Sequence, residues 1–408
     1  MTRRPKAVVA AGSGDAGEER RSSRRPKAVV AAGPGDAGEE RRSSRRPKAV
    51  VAMSGGVDSS VAAALLVEQG YDVTGIMLKL WRGEAANTGS GCCNVGAATD
   101  ARRVADTLGI PFYVFNLAER FEASVIRDFH DEYAAGRTPN PCVRCNAWIK
   151  FDVLLERALA LGAEVLATGH YARTTREGGR WRLLRGADER KDQSYVLWML
   201  SQRQLQHLRF PVGGMTKPET RAVAEELGLR TASKPDSQEI CFIRAGELSA
   251  HLQDRLPQAS VPGVLEDPAG RPLGTHRGIA HYTVGQRKGL GLSLGEPVYV
   301  TGIDAERNRV VVGSRSHLAV SELETQESSF VDRRLRTDDV VLLQHRAHGP
   351  VAPARVRAVG PRSVTLCFDN PVEAVAPGQS AVFYSAAEPQ ELLGGGYVAA
   401  TKGARTVA

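Results

Sequence analysis

The chain has 408 residues, 42% of them hydrophobic and 25% charged, with a net charge of +8. One hydrophobic core rarely serves more than roughly 100–200 residues, so two or three domains are expected of a globular chain of this composition. No apolar run approaches the roughly 18 residues of a membrane span. Arg3-Arg4 is followed only by the short apolar stretch Ala7 to Ala11, less than the roughly 7–15 residues of a signal core, so a cytoplasmic protein without a membrane partner is expected.

Residues 3–23 recur at 24–44, differing only at Ser13 and Pro34, and a third copy opens at Arg45 before diverging. Each full copy carries five basic and three acidic residues and so contributes a quarter of the net charge. Two copies rich in Gly, Arg and Glu lack the apolar surface of a solenoid. Residues 1–44 are therefore expected to be a disordered duplicated extension, with a basic RNA-binding arm as the alternative reading. The body is left only weakly basic, so charge alone argues weakly for a nucleic-acid partner.

From Lys48 onward strand and helix patterns alternate. The apolar run at 48–53 predicts a strand, 58–69 a helix, 72–80 a strand, 97–108 a helix closed by Gly109, and 111–117 a third strand. Helices are expected near 119–135 and 147–161, then a short strand at 165–168 ending in Gly-His-Tyr. Strands separated by helices imply a parallel sheet covered on both faces. This catalytic domain is placed at 45–240. Gly- and Pro-rich sequence at 260–300 suggests a small linker domain, placed at 241–300, and the short Val-rich strands at 309–312, 340–343 and 381–384 suggest a C-terminal β-barrel at 301–400.

The strongest local signal is Ser54-Gly55-Gly56-Val57-Asp58-Ser59-Ser60, between the first strand and the first helix. Two glycines let the backbone N–H groups close on an anion that the helix N-terminus favours, the serines add hydroxyl donors, and Asp58 is a candidate Mg²⁺ ligand. The Gly-Lys-Ser/Thr ending of ordinary nucleotide-binding P-loops is missing. The string resembles the pyrophosphate loop of N-type ATP pyrophosphatases, which cleave ATP between the α and β phosphates. Ala52, Met53, Ser54, Gly55, Gly56, Val57, Asp58 and Ser59 are accordingly the candidate ATP-binding residues. Leu78 and Gly169 join them from the carboxyl ends of the second and a later strand, where open α/β sheets bind ligands.

Six cysteines, at 92, 93, 142, 145, 241 and 367, in a large chain expected to be cytoplasmic point to redox, metal or nucleophilic roles rather than a disulfide framework. Cys142 and Cys145 stand in Asn140-Pro141-Cys142-Val143-Arg144-Cys145-Asn146, read as a loop just before a helix whose N-terminal field lowers a thiol pKa. Cys92 and Cys93 are taken as structural, and Cys367, alternating with apolar neighbours, as barrel core. A zinc knuckle is disfavoured, because no second Cys/His pair stands at finger spacing.

SGGVDSS at 54–60, the Asn-Pro to Cys145-Asn146 loop, ATGHY at 167–171, Lys191-Asp192-Gln193, Ser237 to Phe242 and YTVGQRKGLGL at 282–292 together resemble the tRNA-uridine 2-sulfurtransferases, over nearly everything after residue 45. The resemblance implies an α/β fold: a parallel-sheet PP-loop (adenine nucleotide alpha-hydrolase-like) catalytic domain, a small linker domain and a C-terminal β-barrel. It also implies ATP-dependent adenylation of the wobble uridine 2-carbonyl oxygen in a tRNA anticodon stem-loop, followed by sulfur transfer. Cys241 would carry sulfur as a persulfide, and Cys145 would be the nucleophile that releases it, leaving a disulfide. His170, Lys191, Asp192, Gln193, Arg346, Ala347 and Gln379 fall where this family touches tRNA. Many relatives carry Asp where Cys142 stands. That departure leaves open a [4Fe–4S] cluster on Cys142, Cys145 and Cys241 that binds hydrosulfide in place of a persulfide. His-Arg-Ala-His at 345–348 also departs from the family's usual pattern. The remaining expectations are a sulfur donor such as a cysteine desulfurase or relay protein, and a monomer. A synthetase using ammonia with the same loop would leave the cysteines without a task.

Overall fold

The computed structural model describes residues 45–81, 95–236, 240–244 and 246–403. The duplicated extension, the Cys92-Cys93 pair and residues 237–239 lie outside the described residues.

Strands β1 (Lys48–Ala52), β2 (Asp72–Lys79), β3 (Phe112–Asn116), β4 (Val165–Thr168) and the two-residue β7 (Leu208–Arg209) form a parallel sheet in the order β3-β2-β1-β4-β7. Ala49, Val50 and Val51 are buried, as a strand covered on both faces requires. Chain order reverses between β1 and β4, which puts the switch point of the sheet at their carboxyl ends. Helix α1 (Val57–Glu68) leaves β1 through Gly56 and buries Val61, Ala62, Ala63, Leu65 and Leu66. Helix α2 is Val95–Leu108. Two longer helices, α3 (118–134) and α4 (141–160), each contain a π-helical stretch, at Glu122–Ile126 and Asn146–Leu154. Such wide turns recur at functional sites. Helix α5 (Lys217–Glu226) starts with a capping box from Thr216 to Glu219.

Beyond the parallel sheet, helix α6 (Leu248–Arg255) precedes a four-stranded sheet of β8 (Gly263–Glu266), β9 (Pro272–His276), β10 (Tyr299–Asp304) and β11 (Arg309–Gly313). The last unit is an antiparallel barrel of β12 (Ala319–Phe330), β13 (Val340–Gln344), β14 (Val351–Val359), β15 (Val364–Glu373), β16 (Ser380–Ser385) and β17 (Glu391–Gly403), closed by pairing of β12 with β17. The hairpin β5 (Ala172–Glu177) and β6 (Arg180–Arg185), which follows β4, leaves the parallel sheet. It extends the barrel sheet, with Leu184 opposite Glu391 and Leu183 opposite Leu392. Among the described residues no helix is long and apolar enough to cross a membrane.

Cys367 corrects an expectation. In β15 Leu366 and Phe368 face the core, whereas Cys367 shares the outer face with Thr365, its Sγ 3.5 Å from Glu322 Oε2. Alternation was read rightly, but the face was assigned to the wrong residues.

Helices α3 and α6 meet through His130 and His251, whose Nε2 atoms lie 3.0 Å apart. Burial, then His130 and Arg255, lowers His251 from the usual 6.5 to about 4, and burial with Arg255 also lowers His130. A lowered histidine contributes stability that is present above its unfolded pKa and lost as pH falls through the folded one. The thermal midpoint should therefore drop as pH falls from 6.5 to about 4, and His251→Gln should flatten that drop in a pH series of melting curves.

Candidate active site

The segment 53–56 turns at the carboxyl end of β1. Gly55 takes φ +70°, and a Cβ there would lie 2.3 Å from Ala97 O, so both the turn and the close approach require glycine. Ser54 N donates to Ser59 Oγ at 3.1 Å, and the Ser60 hydroxyl donates to Gly56 O at 2.8 Å, closing the turn onto α1. Lys234 Nζ donates to Gly55 O and to Asp100 Oδ2, both at 2.9 Å. Gly169, just past β4, lies so close that a Cβ would sit 2.6 Å from Ser59 N. Met53, just past β1, and Leu78, on β2, are buried, Ser54 is exposed, and Ala52, Gly56 and Asp58 are half-buried. The candidates from Ala52 to Ser59 and Gly169 thus meet at the switch point.

Asp58, about one-third exposed, has both of its oxygens engaged. Lys217 Nζ donates to its Oδ1 at 2.6 Å and its Oδ2 at 2.9 Å, and Tyr171 Oη donates to Oδ1 at 2.8 Å. Burial, together with the charge of Asp58, holds the Tyr171 phenol well above its ordinary value, so it remains a donor. With its oxygens taken by an ammonium, Asp58 as placed does not fit the expected Mg²⁺ role. Lys217 also reaches Asp236 Oδ1 at 2.8 Å, and Asp236 accepts from Lys191 at 2.7 Å and Arg221 at 3.2 Å. Burial opposes the Asp236 charge, but the hydrogen bonds from Lys191 and Lys217 outweigh it and keep the carboxyl below its usual range.

The thiols are placed by α3. Asn140 caps α4, its side chain accepting from Cys142 N at 3.1 Å, so the expected loop is the first turn of the helix. Cys142 is exposed and Cys145, one turn on, is buried. Between them Arg144 donates to Asp128 on α3 at 3.1 Å and to both Glu327 carboxylate oxygens at 2.7 and 3.1 Å, and lies 3.8 Å from the Tyr397 ring centre. Glu327 reaches it from an irregularity in β12, at φ 52°. Burial pushes Asp128 up to about 6 despite Arg144. Cys241 is half-buried, and its neighbour Phe242 packs against Phe129 at 5.3 Å, Phe121 at 5.7 Å and Trp81, just past β2, at 6.4 Å. Adjacent residues of α3, Asp128 and Phe129, thus anchor the segments carrying the two thiols, and both cysteines border the same apolar cluster.

The four described cysteines stand as thiols, so the disulfide implied as a product is not formed. Among the described residues no three of His, Cys, Asp or Glu gather to hold a metal ion. A cluster on Cys142, Cys145 and Cys241 does not fit this arrangement, in which Cys142 points to solvent from a turn whose far end is buried.

The RNA candidates fall into two groups. His170 packs between Phe151 and Phe210 with Nδ1 2.7 Å from Thr168 Oγ1, and burial with Lys150 keeps it well below 6.5, hence neutral. Gln193 Oε1 accepts from Tyr171 N at 3.0 Å, and Lys191 is one-third exposed. Asp192 corrects an expectation: its carboxylate accepts from Gly186 N, Ser194 N, Ser194 Oγ and Arg185 Nη1 at 2.8–3.0 Å and is spent inside the protein. Arg346, Ala347 and Gln379 belong to the barrel. Arg346 donates to Ala374 O and Gln379 to Thr138 O, both at 2.8 Å, the latter tying the barrel to the approach of α4. Arg185 joins the groups, donating also to Gln344 Oε1, while the Gln344 amide donates to Arg346 O and Ala347 O.

Sequence reasoning missed Lys217, Asp236, Tyr171, Lys234, Arg144 and Glu327. The capping box at Thr216 marks the start of α5 and so the place of Lys217, but its partner Asp58 is 159 residues away.

Three family models match, described as a tRNA methyl transferase HUP domain over 47–245, a tRNA methyl transferase PRC-barrel domain over 249–314 and an aminomethyltransferase beta-barrel domain over 320–398. The chain is 45% identical over 352 residues to a tRNA-specific 2-thiouridylase MnmA of Acetivibrio thermocellus, covering 85% of this chain and 97% of that one. It is 47% identical over 356 residues to the protein of that name from Geobacter metallireducens, covering 85% and 95%. A crystal structure of a 4-thiouridine synthetase–RNA complex with bound ATP covers 52% of this chain and 51% of its own at 16% identity and a TM-score of 0.32, too slight to carry an argument. By its three matched segments and its full-length relatives, this chain belongs to the tRNA-specific 2-thiouridylase family.

Proposed function

We propose that the protein is an ATP-dependent tRNA-uridine 2-sulfurtransferase acting on the wobble uridine. The observation that carries this is the anchoring of two cysteine segments, distant in sequence, on adjacent residues of α3, beside the carboxyl edge of the sheet where the glycine loop turns. ATP sits on residues 52–59 between Leu78 and Gly169. The uridine 2-oxygen attacks the α-phosphorus, pyrophosphate leaves and the base gives up its N3 proton. A persulfide on Cys241, loaded by a desulfurase or relay protein, attacks C2 and displaces AMP, giving a base–S–S–Cys241 link. The Cys145 thiolate then attacks the Cys241 sulfur. 2-Thiouridine leaves, taking a proton, and a Cys145–Cys241 disulfide remains for an external thiol to reduce.

His170, Lys191 and Gln193 at the sheet edge, with Arg346, Ala347 and Gln379 on the barrel, contact the RNA, and Asp192 supports them through Arg185. The target base must leave its stack, which an anticodon loop permits cheaply.

Mass spectrometry of tRNA incubated with enzyme, ATP and a sulfur source tests this reading. Sulfur in place of oxygen at the wobble uridine, with AMP and pyrophosphate released, is the expected outcome. Addition of a methyl group, as the family descriptions would suggest, would overturn it. Gly169→Ala should weaken ATP binding about tenfold or more, since a Cβ 2.6 Å from Ser59 N forces the loop aside at a cost of about 1–3 kcal/mol; nucleotide titration measures this.

A further inference from the structure

Lys191-Asp192-Gln193 and Arg346-Ala347, the proposed RNA contacts of the catalytic domain and the barrel, are joined by an unbroken line of hydrogen bonds. Between half-buried Lys191 and exposed Gln193, the Asp192 carboxylate accepts from Gly186 N and Ser194 N on Oδ1, and from Ser194 Oγ and Arg185 Nη1 on Oδ2. The Arg185 guanidinium lies over the buried Tyr384 ring, 3.5 Å from its centre. Its Nε donates to Pro389 O at 3.3 Å and its Nη2 to Gln344 Oε1 at 3.1 Å. Gln344, buried at the end of β13, donates its amide to Arg346 O at 3.0 Å and to Ala347 O at 3.1 Å. Every polarity on this line is forced. Ser194 gives its one hydroxyl proton to Asp192, so Tyr384 Oη, 2.9 Å away, donates to Ser194 Oγ. A guanidinium only donates and a carbonyl only accepts, so the Gln344 amide has a single orientation.

We propose that Arg185 and Gln344 are positioning residues that fix the spacing of the two RNA-contacting segments, so that the sheet edge and the barrel present one preformed surface to a single tRNA. The proposal rests on the sulfurtransferase reading. Gln344 is buried and Arg185 has a partner on each of its three nitrogens, so both act through the residues they hold. A turn already held by two hydrogen bonds costs little to order when tRNA binds. Two segments at a fixed separation also act together, because engagement of one leaves the other within reach of the same molecule. Lysine in place of Arg185 has no planar fork with which to span Asp192 and Gln344. Glutamate in place of Gln344 keeps an acceptor for Arg185 but turns a carboxylate oxygen onto the carbonyls of Arg346 and Ala347, which drives the turn out of place.

The test is the kinetics of pyrophosphate release by the full chain, with tRNA and ATP varied in turn and a melting curve recorded for each variant. Arg185→Lys and Gln344→Glu should each raise KM for tRNA about tenfold. Both should leave KM for ATP unmoved and kcat at saturating tRNA within about threefold of wild type. Arg346→Ala should also raise KM for tRNA. Because Gln344 acts through Arg346 and its neighbour, adding Gln344→Glu to Arg346→Ala should raise it by no more than about a further threefold. A residue that only stabilised the barrel would lower the melting temperature and kcat together, and its effect would multiply with that of Arg346→Ala. An unmoved KM for tRNA in either folded variant, or multiplied effects in the double variant, overturns the proposal. If neither variant folds, hydrogen exchange on wild type decides. tRNA should protect residues 191–193 and 345–348 over the same range of concentrations, and protection of one segment alone refutes the joint surface. Wild-type enzyme that yields no thiouridine would defeat the functional assignment, whereas thiouridine formed with KM for tRNA unmoved in the variants defeats only the roles of Arg185 and Gln344.

Discussion

Replacing Cys241 with Ser is expected to abolish thiolation, a loss of several orders of magnitude on the scale of other nucleophile removals, while pyrophosphate is still released from ATP and tRNA. In the proposed reaction adenylation uses the loop after β1 and the proposed RNA contacts, and neither includes Cys241. Cys145→Ser should fail later. Sulfur reaches C2 but is not released, so tRNA should accumulate on Cys241 through a disulfide visible on a non-reducing gel and lost on adding a thiol. Cys142→Ser should keep activity within a few-fold, because Cys142 is an exposed residue on the first turn of α4. Equal loss at all three cysteines would instead favour a shared metal centre.

Lys217→Met should have the second largest effect. The side chain is 9% exposed and is the counter-ion of two carboxylates, Asp58 and Asp236. Removing one partner of a buried ion pair costs about 3–5 kcal/mol. The lower end is expected, since both carboxylates are partly exposed and keep Tyr171, Lys191 and Arg221 as partners. Loss of a preorganised cation beside the proposed phosphate site should slow pyrophosphate release by about 10²–10³. Lys217→Arg restores the charge without the compact three-donor head and should recover the melting temperature more fully than the rate. Melting curves and a pyrophosphate assay on the same samples separate the two effects.

The parallel sheet was legible because β1, β2 and β4 are short, mostly buried apolar runs, and the glycine loop because Gly55 and Gly56 stand between such a strand and an apolar helix. The hairpin β5–β6 was not. Its residues are Ala-Arg-Thr-Thr-Arg-Glu and Arg-Trp-Arg-Leu-Leu-Arg, largely half-buried or exposed, so no apolar run betrays it. The Gly178-Gly179 pair between them, both at positive φ, was the signal available. The first turn of α4 was misread as a loop because Asn-Pro punctuates loops as readily as it caps helices. The ion pairs around Asp58, Asp236 and Arg144 join residues brought together only by the fold. Residue type suggested the chemistry of Asp58 and Cys142, and tertiary neighbours then reassigned one to a lysine and left the other at the surface.

The hairpin has a practical consequence for anyone dividing this gene. Because β6 is hydrogen-bonded to the first residues of β17, a fragment ending before the barrel would carry a bare strand edge with Leu183 and Leu184 uncovered. A barrel expressed alone would lack the neighbour that covers Leu392. Both pieces should precipitate or pair with themselves, and a cut placed by sequence texture alone would yield no soluble half.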